Sequence, residues 1–298
     1  MRSALPQGPE ILGVGEILWD LLPDGRVLGG APFNFVFHCH QLGQRATIVS
    51  RVGDDAPGHD LRASLRALGL SDALIQTDPV HPTGSVSVTL QDGQPHYSIH
   101  EEVAWDYLQS ADSLDAALAG VHFVCFGTLV QRHPVSRATV QRLLRMASQQ
   151  AIVLCDVNLR APFYTREILE SSLQLARWVK LNDDELVTLR QLFQLRGRGE
   201  SGWIAALRQR FDVELVALTR GAAGCLIQTA DDEISASGVK VEVVDTIGAG
   251  DAFTAALVCA TLEGRDLGEA ATLANRYAAT VATHRGGTPQ IDPRQIGW

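Results

Sequence analysis

The sequence predicts an α/β fold in which a mostly parallel sheet is covered by helices on both faces. Short apolar runs with the character of buried strands alternate along the chain with segments of helical periodicity, and this alternation is typical of a parallel sheet. The chain has 298 residues, of which 46% are hydrophobic and 20% charged. That length suits two domains or one large domain with an insertion, and the composition suits a globular protein with a large core.

The strands and helices of this fold can be assigned in chain order. Apolar runs predict strands at EILGVGEI, ATIVSRVG, VHFVCFG, AIVLCDV, WVKLN, ELVALT and GCLIQ. Helical periodicity between them predicts helices at 58–69, 134–150 and 166–177. Because these strands are apolar along their whole length, we expect both faces of the sheet to be buried.

Two early segments, 17–28 and 85–100, instead alternate apolar and polar residues. Each is centred on an Asp-Gly pair, Asp24-Gly25 in the first and Asp92-Gly93 in the second, which predicts two β-hairpins. Together they predict a small antiparallel sheet that stands off the main body as a lid or a dimerisation surface. The alternative is that the hairpins extend the edge of the main sheet.

The charge balance limits the partners of the protein. With 25 basic and 34 acidic residues the net charge is −9, and an acidic surface repels nucleic-acid phosphates and anionic lipids. We therefore expect neither nucleic acid nor a membrane as a partner. Lys180 and Lys240 are the only lysines, and neither follows a G-x-x-x-x-G-K run, which excludes a P-loop nucleotide site.

The cysteines and the apolar profile predict a cytoplasmic protein. No segment approaches the roughly 18 uninterrupted apolar residues of a membrane span, and the start of the chain lacks the apolar core of a signal peptide. The cysteines form no C-x-x-C motif and lie mostly in apolar runs, so we expect buried, reduced thiols. They are Cys39, Cys125, Cys155, Cys225 and Cys259.

The segment 241–262, VEVVDTIGAGDAFTAALVCATL, carries the strongest chemical signal. A β-rich run ends at Asp245, a small-residue turn follows at Gly248, Ala249 and Gly250, and a helix begins near Asp251. The free amides and the dipole of a helix N-terminus form an anion site. A carboxylate beside it suits phosphoryl transfer to a hydroxyl, and the dipole predicts an ordinary or low pKa for Asp251. The alternative is an ordinary helix with an acidic first turn.

A second cluster of candidate residues surrounds LGGAPFNFVFHCHQLG. Gly29, Gly30 and Asn34 follow the first hairpin, which contains Asp20. A carboxylate, backbone amides and an Asn side chain can together bind several hydroxyls of a sugar. Asn34 can equally be a helix cap.

Two motifs in the middle, DVNLRAPFY and KLNDDELVTL, each follow a predicted strand. Asn182 and Glu185 would share one face of a helix and fit water-mediated Mg²⁺ binding, with a capped first turn as the alternative. Arg160 can pair with an anionic group or form a surface ion pair. Further on, LTRGAAGCL is a strand, a turn and a strand that either borders a nucleotide or is an ordinary hairpin.

The order of these motifs along nearly the whole chain resembles the ribokinase family of carbohydrate kinases, the PfkB family. The C-terminal motif matches at Asp245, Thr246, Gly248, Ala249, Gly250 and Asp251. The N-terminal motif matches at Gly29, Gly30, Asn34, Gly43 and Gly53. It departs at Val36, where the family usually has a small Ser, Thr or Ala. GEILWDLLP, FGTLVQR, DVNLRAPFY and KLNDDEL are most similar to fructokinases.

The resemblance implies one ribokinase-like α/β kinase domain over residues 1–298. Its central, mostly parallel sheet would be flanked by helices, with a small β-sheet lid formed by about 16–34 and 81–105 that can also make a homodimer contact. The implied activity is that of an ATP-dependent sugar kinase, first of all a fructokinase that makes fructose 6-phosphate. The alternatives are a kinase for another sugar or nucleoside, such as ribose or a keto-deoxy sugar acid, and a catalytically silent sugar-binding regulatory protein.

The resemblance also implies a role for each candidate residue. Asp251 would be the base and Gly248, Ala249 and Gly250 the anion hole. Sugar would be bound by Asp20, Gly29, Gly30, Asn34 and Arg160. Asn182 and Glu185 would organise Mg²⁺ and ATP, and the nucleotide pocket would be lined by Thr219, Gly221, Gly224 and Asn275. A monovalent cation such as K⁺ would lie at Asp245, Ile247, Val281, His284 and Gly286.

Overall fold

The computed structural model describes residues 10–23, 25–91 and 94–298, without the side chains of 88–91 and 94–97. These residues form two separate sheets, one of nine strands and one of four. Both predicted hairpin turns fall partly outside the described residues, at Asp24 and at Asp92 and Gly93.

The strands and helices of the described residues are as follows. The strands are β1 Ile11–Val14, β2 Leu18–Leu22, β3 Gly25–Gly29, β4 Ala46–Gly53, β5 Ile75–Asp78, β6 Ser85–Gln91, β7 Gln94–Ile99, β8 Phe123–Phe126, β9 Ile152–Asp156, β10 Trp178–Asn182, β11 Leu215–Thr219, β12 Cys225–Gln228 and β13 Glu233–Ala236. The helices are α1 Ala31–Gln41, α2 Ala56–Ala67, α3 Asp112–Ala117, α4 Pro134–Ala147, α5 Arg166–Leu175, α6 Asp183–Phe193, α7 Gly199–Phe211, α8 Ala249–Leu262 and α9 Leu267–Val281.

The large sheet has the strand order β13-β12-β11-β10-β9-β8-β1-β4-β5. Strands from β11 to β5 pair in parallel, and β12 is antiparallel to both of its neighbours. Every residue of β1 and β8 is buried, because helices cover both faces. The predicted α/β fold with a mostly parallel sheet is confirmed.

The small sheet has the order β3-β2-β6-β7 and is not part of the large one. Both predicted hairpins are present as the antiparallel pairs β2·β3 and β6·β7. The prediction of an antiparallel sheet is wrong at its centre, however, because β2 and β6 pair in parallel. The chain passes through the main body between the two hairpins, and such a long crossover allows parallel pairing.

Three elements of the large sheet differ from the sequence prediction. The short outer strands β5 and β13 were not predicted. The predicted β-run at 241–245 is not a strand: this segment lies along the end of α9, with the Val244 amide donating to the Ala282 carbonyl oxygen at 2.9 Å. Its alternating valines are exposed rather than packed. The predicted helices at 58–69, 134–150 and 166–177 correspond to α2, α4 and α5.

α1 and α8 pack side by side near the middle of the large sheet. A Cβ on Gly13 of β1 would lie 2.6 Å from Cγ2 of Val36 and 2.7 Å from the Pro32 oxygen. The glycine therefore makes room for the unusually large Val36, which is fully buried. All five cysteines are buried and free, as predicted. Among the described residues no helix is long and apolar enough to cross a membrane.

Candidate active site

The first turn of α8 has close neighbours at two glycines, and the backbone at one of them, Gly248, favours glycine. Gly248 has φ +74°, and a Cβ there would lie 2.5 Å from the backbone of Gly287. A Cβ on Gly250 would lie 2.9 Å from Nζ of Lys180. The amides of Gly250 and Asp251 donate to no other group in the described part of the chain. Such unpaired amides at a helix N-terminus are suited to binding phosphate oxygens.

Asn34 connects the two glycine-containing motifs, which are 217 residues apart. Its Nδ2 donates to Oδ2 of Asp251 at 2.8 Å. The alternative role of Asn34 as a helix cap is wrong, because α1 begins after Gly30 and has no side-chain cap. The side-chain oxygen Oδ1 is buried without a partner among the described residues, so its capacity to accept a hydrogen bond is unused.

Asp20 lies on β2, against the end of β3. A Cβ on Gly29 would be 2.2 Å from Oδ2 of Asp20, so the carboxylate rests directly on this glycine. Gly30 has φ +107°, and a Cβ there would be 2.5 Å from the carbonyl oxygen of Glu16. Burial raises the pKa of Asp20 to about 6. The two glycines thus let the small sheet approach the start of α1 closely.

Glu16 was missed by the sequence analysis, although it lies beside these residues. It is 3% exposed, and its Oε2 has no partner among the described residues. Burial raises its pKa to about 7, and the charges of Arg160 and Asp251 act on it in opposite directions. The available signal was the one carboxylate inside the apolar run ILGVGEIL, because a buried charge needs a partner.

The pKa of Asp251 is raised to about 7, chiefly by burial and then by the charge of Asp156. The hydrogen bond from Asn34 and the charges of Lys180 and Arg160 act in the opposite direction without overcoming burial. The prediction of an ordinary or low pKa is therefore wrong. That prediction took account of the helix dipole, which lowers the pKa, but not of the loss of water around the buried carboxylate, which raises it.

Arg160 is exposed and follows β9. Its charge lowers the pKa of both Glu16 and Asp251, so the guanidinium faces the same space as these carboxylates. It forms no ion pair among the described residues, and its Nη1 donates to the Leu159 carbonyl oxygen at 3.2 Å. This exposed cation can bind an anionic group on a ligand.

The family model described as pfkB family carbohydrate kinase matches residues 25–293. The chain belongs to the pfkB family of carbohydrate kinases. It is a phosphotransferase that acts on a sugar hydroxyl, and its fold is that of ribokinase-like structures.

The sugar kinase resembles several individual proteins over nearly its whole length. It is 29% identical to the sugar kinase PH1459 of Pyrococcus horikoshii over 95% of this chain and 93% of that protein. A structure of that protein in complex with ATP has a TM-score of 0.78 and covers 96% and 99% of the two chains, with 25% identity. The fructokinase of Escherichia coli is 28% identical over 95% and 96%.

A further similar structure is the aminoimidazole riboside kinase of Salmonella enterica, complexed with aminoimidazole riboside and an ATP analog. Its TM-score is 0.78 at 24% identity, with 96% and 98% of the two chains covered. At this identity the likeness concerns the fold alone.

Asn182 and Glu185 of this sugar kinase form a capping box at the start of α6. Oδ1 of Asn182 accepts from the Glu185 amide, and Oε2 of Glu185 accepts from the Asn182 amide, each at 2.8 Å. The other Glu185 oxygen accepts from the Leu159 amide at 2.9 Å. The capped first turn is thus present, and Mg²⁺ binding through water remains a prediction. These carboxylate oxygens still have lone pairs for a bridging water.

Three of the four residues predicted to line the nucleotide pocket lie at the C-terminal end of β11 and in the turn that follows, and the fourth, Asn275, lies on α9. Thr219 is paired in register with Asn182 of β10, and the strand–turn–strand prediction is confirmed by β11 and β12. Gly221 and Gly224 have φ of +51° and +93°. Asn275 of α9 donates from Nδ2 to a β13 carbonyl oxygen at 3.1 Å, which joins this helix to the sheet. Their contact with a nucleotide remains a prediction.

The residues predicted to bind a monovalent cation lie near one another, between the end of α9 and the start of α8. Both carboxylate oxygens of Asp245 accept backbone amides, from Ile247 and from Gly286, each at 3.0 Å. The amide of His284 donates to the Val281 carbonyl oxygen at 3.0 Å in the adjoining turn. The described residues contain no group of three or more His, Cys, Asp or Glu side chains that could hold a metal. A cation here would rest mainly on backbone oxygens, and its binding remains a prediction.

Two further charged residues were missed. Lys180 of β10 and Asp156 of β9 form a buried ion pair with 3.1 Å between Nζ and Oδ1, directly beneath the first turn of α8. Each is a single charge within or at the end of an apolar strand, AIVLCD and WVKLN. That pattern signals a buried pair, but only the strand order identifies the partners.

Proposed function

We propose that this sugar kinase transfers the γ-phosphoryl group of ATP to the 6-hydroxyl of free fructose, giving fructose 6-phosphate and ADP. The observation that carries the proposal is the contact between Asn34 and Asp251 at the N-terminus of α8. It joins a group that can bind sugar to a carboxylate that can accept a proton, beside amides that can hold phosphate oxygens.

The polar atoms around Asn34 and Glu16 favour a neutral polyol. Oδ1 of Asn34 and Oε2 of Glu16 are buried acceptors without partners among the described residues, and such acceptors are costly unless a ligand donates to them. Sugar hydroxyls are suitable donors. The carboxylates of Glu16, Asp20 and Asp251 add further acceptor oxygens, which suits a substrate rich in hydroxyl groups.

The raised pKa of Asp251 supports its role as the general base. A carboxylate with a pKa of about 7 is largely ionised above neutral pH and matches the pH at which proton transfer is efficient. Asp251 would orient the hydroxyl and take its proton as the new P–O bond forms, while the amides of Gly250 and Asp251 stabilise the charge on the transferred group. Bound Mg²⁺, held through Asn182 and Glu185 by way of water, would neutralise phosphate charge.

The names of the relatives support a sugar substrate, and they include both a fructokinase and a riboside kinase. A coupled ADP-release assay distinguishes the candidates when Mg²⁺ and ATP are offered with fructose, ribose, a nucleoside, a keto-deoxy sugar acid and fructose 6-phosphate. We expect fructose to give the highest kcat/KM. Asp251→Asn protein purified in the same way controls for contaminating kinases.

Two outcomes contradict this proposal in different ways. If another substrate exceeds fructose by about tenfold in kcat/KM, or about 1.4 kcal/mol, the fructose assignment is wrong and the kinase assignment stands. If no sugar or nucleoside releases ADP, the chain is a catalytically silent sugar-binding protein on a kinase scaffold.

A further inference from the structure

Lys180 has no part in the mechanism proposed above, yet its side chain is only 8% exposed in the middle of the large sheet. Transfer of an ammonium group out of water is costly unless the charge is paired. Burial lowers the pKa of Lys180, but the nearby carboxylates of Asp156, Glu185 and Asp251 more than compensate and raise it. The side chain therefore stays charged, with three acidic groups around it.

The contacts of Lys180 connect two central strands to the helix that carries the base. Nζ lies 3.1 Å from Oδ1 of Asp156 on the neighbouring strand β9. The other oxygen of Asp156, Oδ2, accepts from the hydroxyl of Thr254 on α8 at 3.0 Å. Thr254 is one turn along the helix from Gly250, whose carbonyl oxygen is 3.0 Å from the same hydroxyl. We call these three side chains, Lys180, Asp156 and Thr254, the α8 clamp.

The α8 clamp is in position to act on the base by charge as well as by contact. Nζ lies 2.9 Å from where a Cβ on Gly250 would be, next to Asp251 in the chain. The titratable groups that face Asp251 from the surrounding elements belong to Glu16, Cys125, Asp156, Arg160 and Lys180. Of the clamp charges, Lys180 lowers the pKa of Asp251 and Asp156 raises it.

We propose that the α8 clamp is a positioning device for the proposed reaction: Thr254 and Asp156 fix the first turn of α8, and Lys180 sets the charge state of Asp251. The proposal rests on the role of Asp251 as the base. It assigns Lys180 a function that burial alone does not require, because an apolar residue of similar size would fill a central strand at no electrostatic cost.

The test measures kcat against pH, at saturating fructose and ATP, for three variants. In Lys180→Met, loss of the cation raises the pKa of Asp251, so the acid limb of the profile should move up by about one pH unit or more. In Lys180→Met/Asp156→Asn, the two opposing charges are both removed. Because Asp156 has the larger effect of the two on the pKa of Asp251, the limb should return to the wild-type position or lie slightly below it. In Thr254→Val, the hydrogen bond to Asp156 is lost, so kcat should fall by about tenfold. Both charges remain, so the acid limb should not move.

A matched control is Arg51→Met. Arg51 and Asp78 form an equally buried ion pair, with 3.0 Å between Nε and Oδ2, on strands β4 and β5. This variant loses a buried pair without touching α8. It should lower the unfolding temperature while leaving the acid limb and the KM for fructose unchanged.

Several results would overturn the proposal. One is a folded Lys180→Met protein with the wild-type acid limb, and another is a double variant whose limb moves as far as that of the single variant. If Lys180→Met does not fold, a folded Thr254→Val protein with wild-type kcat contradicts the proposed positioning role of the α8 clamp. If wild type itself shows no sugar-dependent turnover, the proposed function fails separately. The pKa of Asp251 can then still be compared from the pH dependence of unfolding, with and without Asp251→Asn, in wild type and Lys180→Met.

Discussion

Asp251 shows how burial and a helix N-terminus compete for one carboxylate. The helix dipole favours the charged form, and its contribution is typically about 0.3–1 kcal/mol at exposed positions. Loss of water favours the neutral form and is the largest cause of the shift, which takes the pKa from 3.8 to about 7. Asp156 adds to that shift. Burial raises the pKa of Asp251 and so makes it a stronger base. It also makes the ionised carboxylate destabilising in the folded protein.

This cost predicts that Asp251→Asn stabilises the protein above neutral pH. The unfolded chain ionises this group near pH 4, whereas the folded protein keeps the proton up to about pH 7, so wild type loses stability as pH rises between these values. Asn does not titrate. Because Asp251 is only partly buried, we expect a gain of up to about 3 kcal/mol at pH 8. Urea unfolding at pH 4 and pH 8 measures it, and equal stabilities at pH 8 would contradict it.

The residues of the site differ in how far the sequence identifies them. Asn34 and Asp251 were predicted because each stands in a dense local pattern of glycines and helix-start signals. Glu16 and Lys180 were missed because their importance depends on which groups they meet after folding. Glu16 is 3% exposed with one oxygen unpaired, and no local spacing in the sequence records that environment.

At the scale of elements, the first turn of α8 depends on the backbone more than on side chains. Gly248 adopts φ +74° and packs against Gly287. Gly287 is itself held by His38 of α1, whose Nε2 lies 2.9 Å from its carbonyl oxygen. The first turn of α8 is therefore held by contacts with α1 and with the loop after α9.

Gly248→Ala should disturb this assembly in a way that a matched glycine substitution does not. Gly264, at the other end of α8, has a similar φ of +76°, but a Cβ there would have no atom within 4 Å. Gly264→Ala should cost only the backbone strain, about 1 kcal/mol. Gly248→Ala adds a clash with backbone and should also lower kcat by about tenfold or more.

The comparison requires unfolding free energies and kcat for both variants. Equal losses of stability with wild-type kcat in Gly248→Ala would show that the anion site tolerates a side chain at this position.

The strands that the sequence missed are those in which the apolar pattern is weakest. β13 has the sequence EISA and alternates exposed and half-buried residues at the edge of the sheet. β5, IQTD, is equally short at the opposite edge. At 241–245 the error was the opposite one, since a strand was predicted and none forms. Valines in an alternating pattern form a strand only where a neighbouring strand is available to pair with it. Strand order and the parallel β2·β6 pairing depend on long-range contacts that local patterns do not contain.

At the scale of the whole molecule, the small sheet is joined to α2 of the main body by a hydrogen bond and an ion pair. Nε1 of Trp19 on β2 donates to the Pro57 carbonyl oxygen at 3.0 Å, and Arg26 pairs with Asp60. Leu21 and Val27 of this sheet are 37% and 42% exposed, and they lie on opposite faces because Leu21 pairs with Arg26 and Val27 with Asp20. We propose that this sheet is the lid, and that it closes when sugar binds.

Lid closure predicts a change in hydrogen exchange. Residues 17–28 and 85–100 should gain protection when fructose is added, because a closed lid excludes the water that would compete with the sugar hydroxyl. Peptides from α5, on the main body, serve as the internal control and should not change. Equal protection of both segments with and without sugar would indicate a rigid sheet or a fixed dimer interface.

The central claim is that Asp251 is the general base of a sugar kinase, and kcat of Asp251→Asn tests it most directly. Asn keeps the size and can still accept the hydrogen bond from Asn34, but it cannot take a proton. We expect kcat for ADP release with fructose to fall by about 10²–10⁴-fold. The Kd for ATP, measured by calorimetry on the folded variant, should move by less than about tenfold. A kcat within a few-fold of wild type would contradict the account and would leave Asp251 as a carboxylate of the helix terminus only.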